Sequence, residues 1–250
     1  MSLEQVIGEI KKEYPDLEKA RALCVQGDFL RAAEQYTNLL NEMASNEKED
    51  SLKLAAVYIE YARALMLSND RLVINPDVPE DMAYLDDLEI AWEVLEISKG
   101  VFKKNGMKDE EIEVHLLLSD ISQESNNHTE SKVDLEEALK LSEELSGEST
   151  RTAEIAFRLA VVEEALGRTG EAKALMGRVL EIIKKQPQGV GADDLVAEVQ
   201  ERVAAMENPD KYRVEIKQEA KNKAADGVVR KIPTRQTAPQ EEQKTSEQKM

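Results

Sequence analysis

The chain has 250 residues, with 33 Lys plus Arg against 51 Asp plus Glu and a net charge of −18. A chain this negative repels phosphate backbones, so direct nucleic-acid binding is not expected and a basic partner is favoured. Only 3 Phe, 6 Tyr and 1 Trp accompany 11 Gly, too few aromatic and turn residues for a sandwich or barrel, and the abundant Ala, Leu, Glu and Lys point to an all-α fold.

Residues 3–13 read as a short helix with Leu3, Val6, Ile7 and Ile10 facing inward. A repeating frame follows. A small residue in one helical pattern is matched twelve positions later by a small residue in the next: Ala20 and Ala32, Ser119 and Ser131, Ala160 and Ala172. A polar turn separates the members of each pair, at Gln26-Gly27-Asp28, Ser125-Asn126-Asn127 and Gly167-Arg168-Thr169. A large side chain follows four residues after the second small one, at Tyr36, Leu135 and Met176. Small residues let two antiparallel helices approach closely and the large one fills the gap beside them. This is the helix–turn–helix pattern of tetratricopeptide (TPR) repeats. The third and fourth repeats are 41 positions apart, more than the usual period of about 34, so their helices are long.

One further repeat is split. Its first helix is expected over 52–67, with Tyr58, Tyr61, Ala62 and Leu65 on one face, and its second over 88–104, with Ala91, Trp92, Leu95 and Phe102. Ala62 and Ala91 are 29 positions apart, so seventeen residues are inserted, roughly Asn69 to Leu85; Pro76 and Pro79 argue against helix there. Residues 191–207 read as a final amphipathic helix, opened by Asp193 and Asp194 and striped by Leu195, Val196, Val199 and Val203, that caps the array. The expected organisation is an N-terminal helix over 1–14 and a four-repeat TPR array with its capping helix over 15–207. The second repeat carries an acidic insert at about 69–87, and a disordered basic and polar tail fills 208–250. That tail holds ten basic and seven acidic residues, which leaves 23 basic and 44 acidic residues, a net of −21, in 1–207.

Catalytic chemistry has little to stand on. His115 and His128 fall on different elements and form no metal cluster, Cys24 sits at an apolar helical position as a buried thiol, and neither a phosphate loop nor a nucleophile elbow occurs. Neither an enzyme nor a cofactor nor a metal is expected. The single cysteine precludes an internal disulfide, no apolar run approaches the roughly 18 residues of a membrane span, and Met1-Ser2-Leu3-Glu4 does not open a signal peptide. The expectation is a soluble intracellular protein without membrane contact.

Binding has more. Residues 72–98 carry eight acids (Asp77, Glu80, Asp81, Asp86, Asp87, Glu89, Glu93 and Glu96) and neither Lys nor Arg. They cluster where the repeat frame is broken, and an insertion in a repeat array is a common place for function. The first helices of the repeats line one face, with Tyr58, Tyr61, His115, Ser122, Glu154, Phe157 and Arg158 as its candidates. Apolar footing with carboxylates suits a basic amphipathic helix. The tail segment Val229-Arg230-Lys231-Ile232-Pro233-Thr234-Arg235 reads as solvated charge or as an import signal, the residues alone favouring the former.

The segment Leu88-Glu89-Ile90-Ala91-Trp92-Glu93-Val94-Leu95-Glu96-Ile97-Ser98-Lys99 resembles the second-repeat helix of the NASP-type histone chaperones, whose repeats are called interrupted TPR (SHNi-TPR). The run Leu118-Ser119-Asp120-Ile121-Ser122-Gln123-Glu124-Ser125-Asn126-Asn127 resembles their third repeat, and the likeness extends over about 15–205. The resemblance implies a nuclear histone chaperone, with a cytoplasmic pool, acting in histone storage, transport and chromatin assembly. It implies binding of histones H3 and H4, linker histone as a further partner, and self-association as a homodimer. It also implies that a Glu and an aromatic on the fourth repeat's first helix grip a histone segment; Glu154 and Phe157 match, although the family commonly has Tyr at the second position. The insert here is shorter than is usual in the family and mixes Leu, Val and Pro among its acids. The histone-binding set expected from residues and resemblance together is Asp77, Glu80, Asp81, Asp86, Asp87, Glu154, Phe157, His115 and Tyr58.

The competing reading is a TPR scaffold or co-chaperone. A clamp for an acidic peptide needs Lys, Asn and Arg on the first helices. The positions in frame are Leu17, Arg21, Glu60, Glu113 and Leu117, of which only Arg21 has the required charge. A scaffold for some other basic client stays open.

Overall fold

The computed structural model describes residues 2–68, 82–185 and 192–207. Among them the chain forms ten helices: α1 (Leu3–Glu13), α2 (Asp16–Val25), α3 (Phe29–Ala44), α4 (Leu52–Ser68), α5 (Met82–Lys104), α6 (Lys108–Glu124), α7 (His128–Ser146), α8 (Thr150–Ala165), α9 (Thr169–Lys185) and α10 (Ala192–Glu207). Residues 1–203 form one unit; the second, 204–250, is described only as far as Glu207, the end of α10. The acids Asp77, Glu80 and Asp81 lie outside the described residues, as does the tail from 208.

Local chemistry fixes the helix ends. Ser2 opens α1 with a capping box, its hydroxyl accepting from the Gln5 amide while the Gln5 side chain accepts from the Ser2 amide. Asn127 accepts from the Glu130 amide at the start of α7, and Ser149 accepts from the Thr152 amide at the start of α8. Three turns share one device. Gly27, Asn126 and Gly167 all have positive φ (78°, 55° and 76°), and each lies seven residues after the first small residue of its repeat. The next amide donates five residues back in each case: Asp28 N–H to Leu23, Asn127 N–H to Ser122 and Arg168 N–H to Glu163. This is the left-handed helix stop that Gly and Asn tolerate best.

Packing follows the frame. Ala20, Ala32, Ala62, Ala91, Ser119, Ser131, Ala160 and Ala172 are fully buried. The helices pair as α2 with α3, α4 with α5, α6 with α7 and α8 with α9, so the split repeat closes a hairpin like the others. Tyr36, Leu95, Leu135 and Met176 are buried beside the small pairs. In the third repeat the Ser119 and Ser131 hydroxyls meet at 2.9 Å, each satisfying the other. Helix α1 lies against α4, burying Val6 and Ile10.

The second helix of the split repeat is longer than its sequence suggests. It begins at Met82 rather than Leu88, because Tyr84, Leu88, Ala91, Leu95, Ser98 and Phe102 are all buried at alternating spacings of four and three. Asp86 and Asp87, expected in a loop, are helical residues.

Candidate functional site

The first helices α2, α4, α6 and α8, with α10 after them, are joined by arginine–carboxylate pairs. Arg21 of α2 donates through Nε to Glu60 of α4 at 2.8 Å, with a second bond through its Nη2. Arg63 of α4 pairs with Glu113 of α6. Arg151 of α8 reaches Asp109 of α6 at 2.5 Å, and Arg158 pairs with Asp120 and donates to the Leu116 carbonyl. Arg202 of α10 lies 3.1 Å from Glu164 of α8. Each step of the array thus carries at least one such pair. The carboxylates of this face are largely answered by the chain's own arginines, so its surplus of negative charge is smaller than the composition implies.

Within that face Glu154 stands out. It is exposed, no ion pair with a described residue holds it, and it lies three residues from half-buried Phe157. The Arg202 guanidinium lies over the Phe157 ring, 5.7 Å from its centroid. Cation and ring attract at this range, so the protein itself shows that this ring accepts a guanidinium.

Other expected members fall elsewhere. His115 is corrected from the open face to the hairpin interior: it is 8% exposed, and its Nδ1 lies 2.8 Å from Asp134 of α7, its own hairpin partner. A buried imidazole needs a polar partner, and α7 supplies it. Tyr61 is buried as well; its hydroxyl accepts from Thr37 Oγ1 of α3 at 3.1 Å, and its ring sits tilted against Tyr36 at 6.5 Å. Tyr58 is half-buried against the core, and burial followed by nearby Glu49 raises its hydroxyl pKa. Ser122 is buried. Cys24, expected buried, is half-buried; burial raises its thiol pKa, and Glu60 adds to the effect.

The acidic-peptide clamp loses its remaining cation. Arg21 is bound twice by Glu60, which also accepts from the Tyr36 hydroxyl at 2.9 Å, and Leu17 and Leu117 are core residues. Among the described residues no three of His, Cys, Asp and Glu are grouped to hold a metal ion, and no helix is long and apolar enough to cross a membrane.

Known proteins resemble the chain in sequence and in fold. Over 123 residues it is 28% identical to nuclear autoantigenic sperm protein of Oryctolagus cuniculus, and 26% identical to that of Homo sapiens. The match takes in 47% of this chain but only 18% and 16% of those proteins, so the chain spans less than a fifth of the curated relatives it matches. In fold it is similar to nearly identical TPR-like repeats from Podosopora anserina (TM-score 0.63, 16% identity, 88% of this chain and 98% of that one). It is also similar to BtubC (BKLC) from P. vanneervenii (TM-score 0.58, 18% identity, 98% of this chain and 100% of that one). The sequence similarity and the TPR-like fold together support a NASP-type TPR family. No family profile matches the chain. The TPR-like fold was legible in the sequence. The arginine ladder was not, although one signal was present: the residue after the first small position is Arg21, Arg63 and Asp120 in successive repeats.

Proposed function

We propose that the protein is a histone chaperone that binds histones H3 and H4, with linker histone as a further client. The observation that carries this reading is exposed Glu154 beside Phe157, a ring over which Arg202 already holds a guanidinium. A histone segment would place a basic side chain at the Glu154 carboxylate and apolar side chains along Phe157, so that charge neutralisation and shielding act together. The acidic insert, with Asp77, Glu80, Asp81, Asp86 and Asp87, would attract the rest of the client by long-range attraction. In the cell this corresponds to histone storage, transport and chromatin assembly, in the nucleus with a cytoplasmic pool, and with self-association as a homodimer. The likeness of 123 residues of the chain to nuclear autoantigenic sperm protein supports the reading.

The test is capture of purified H3–H4 by the full chain in moderate salt, with another basic protein of similar charge as the control. Glu154→Arg and Phe157→Ala should reduce capture while helicity is kept. Changing the five insert acids to Lys should weaken binding and flatten its salt dependence. Indifference to H3–H4, or equal capture of the control, would defeat the histone reading; the equal-capture result would favour a scaffold for basic clients in general.

A further inference from the structure

The chain's only tryptophan, Trp92, is 41% exposed. Leu85, two turns earlier on the same helix, is 38% exposed as well, and apolar surface that is contiguous and rimmed by polar residues is where contact sites occur. Trp92 borders a cavity of about 300 Å³ between the first half of α5 and the turn joining α6 to α7. Its buried lining is mainly apolar, made by Leu88 and Ile121 with Ser122 beside them. Leu85 and Trp92 form one side, and Glu89 and Glu130 stand exposed at the rim. Asn127 Nδ2 donates to Glu130 Oε2 at 2.6 Å and so holds that carboxylate at the cleft. Neither Glu89 nor Glu130 forms an ion pair with a described residue, in contrast to Glu60, Glu113, Asp120 and Glu164 of the first-helix face, which the chain's own arginines answer.

We propose that this cleft is a second binding site, which receives an arginine side chain from a basic protein segment. Three features select that occupant. Two carboxylates at one rim attract a cation. An indole face favours a planar one, because a guanidinium stacks on the ring while its edge donates to carboxylates; a lysine ammonium does this less well. The apolar lining takes the methylene stem of a long side chain. The same chemistry occurs among the described residues, where Arg202 lies over Phe157 and bonds Glu164. The cleft is bordered by α5, the second helix of the split repeat, and is distinct from the Glu154–Phe157 face. It rests on the proposed function only for the source of the arginine, a basic client.

Trp92 reports its own occupancy. The full chain is titrated with an arginine-containing basic peptide while tryptophan emission is recorded, in parallel with the same peptide carrying lysine or citrulline in place of arginine. The expected result is a saturable change with the arginine peptide, severalfold weaker binding of the lysine peptide and no change with citrulline. Glu89→Gln and Glu130→Gln should each weaken binding by about tenfold, a loss of one charge-assisted contact, with helicity kept because Glu89 is exposed and a Gln at 130 still offers an oxygen to the Asn127 amide. Absence of an emission change up to millimolar peptide would overturn the site, as would undiminished affinity in both Gln variants or a citrulline peptide that binds as tightly as the arginine one. A change in emission when Arg213, Arg230 and Arg235 are replaced by Gln, without added peptide, would also overturn it, since the chain's own tail would then be the occupant. Capture of H3–H4 separates this site from the function above. Retained capture with a silent Trp92 sinks the cleft alone, and a responsive Trp92 without capture sinks the histone reading alone.

Discussion

Arg202 and Phe157 meet across two helices, the guanidinium 5.7 Å from the ring centroid, and the same arginine also binds Glu164. The aromatic proposed to hold a basic client is therefore already covered in part by a basic side chain of the protein. A client that uses this ring has to displace Arg202 or share it. Arg202→Ala is expected to raise affinity for H3–H4 severalfold by releasing Phe157 and Glu164. It should lower unfolding free energy by about 1 kcal/mol, the size of one exposed cation–ring contact and one exposed ion pair. Calorimetric titration and urea unfolding read the two effects separately; unchanged affinity would show that the client leaves Phe157 alone.

The third repeat replaces the usual alanine pair by Ser119 and Ser131, both fully buried with their hydroxyls 2.9 Å apart. Ser119→Ala or Ser131→Ala alone removes one partner of this pair and should cost about 1–2 kcal/mol. The double change should restore most of that loss, because Ala20 with Ala32, Ala62 with Ala91 and Ala160 with Ala172 fill the same positions in the other repeats without a polar pair. Urea unfolding of the four proteins forms a complete cycle, and additive losses would refute the coupling.

The repeat frame was readable because it rests on residues with few alternatives. Buried small residues set the helix spacing, and a glycine or asparagine is needed where φ turns positive, so Gly27, Asn126 and Gly167 announced the turns. The split repeat remained visible because Ala62 and Ala91 keep their roles. The start of α5 was misread because two prolines signalled loop, while Tyr84 continues the buried helical stripe beyond Leu88. His115 was placed on the wrong face because its partner, Asp134, lies 19 positions away on another helix, and its own helix contains no sign of it. The arginine ladder was hidden for a similar reason. Arg21 and Glu60 are 39 positions apart, and in a chain where 34% of residues are charged many other pairings look equally good.

Lys53 joins three segments, reaching Glu13 at the end of α1 at 2.6 Å and Glu47 after α3 at 2.8 Å. Both bonds raise the Lys53 pKa, Glu13 contributing first, and Lys53 in turn lowers that of Glu47. A carboxylate with a lowered folded pKa stabilises the fold above its unfolded pKa of about 4.3, and that contribution is lost as pH falls through the lowered value. Lys53→Met should therefore cost about 1 kcal/mol at neutral pH. The gap from the wild type should close below about pH 4. Denaturation at several pH values checks this, and a gap independent of pH would mean that Lys53 acts through packing.

Cys24 sits beside Tyr36 and Glu60 at a cavity of about 410 Å³ that Val25, Leu67 and Phe29 also line. Burial raises its thiol pKa first and the Glu60 charge raises it further, while contact with Tyr36 partly offsets both. Thiolate is the reactive form, so at pH 8 alkylation by iodoacetamide should be severalfold slower than for a free cysteine, with a midpoint above the free value of about 8.5. Glu60→Gln should shift the midpoint downward by removing the neighbouring charge. The unfolded thiol ionises first, so this residue's contribution to stability is complete below about pH 8.5. It declines as pH rises through the raised value. A rate profile matching the free thiol would show that the half-buried position leaves Cys24 as well solvated as an unfolded one.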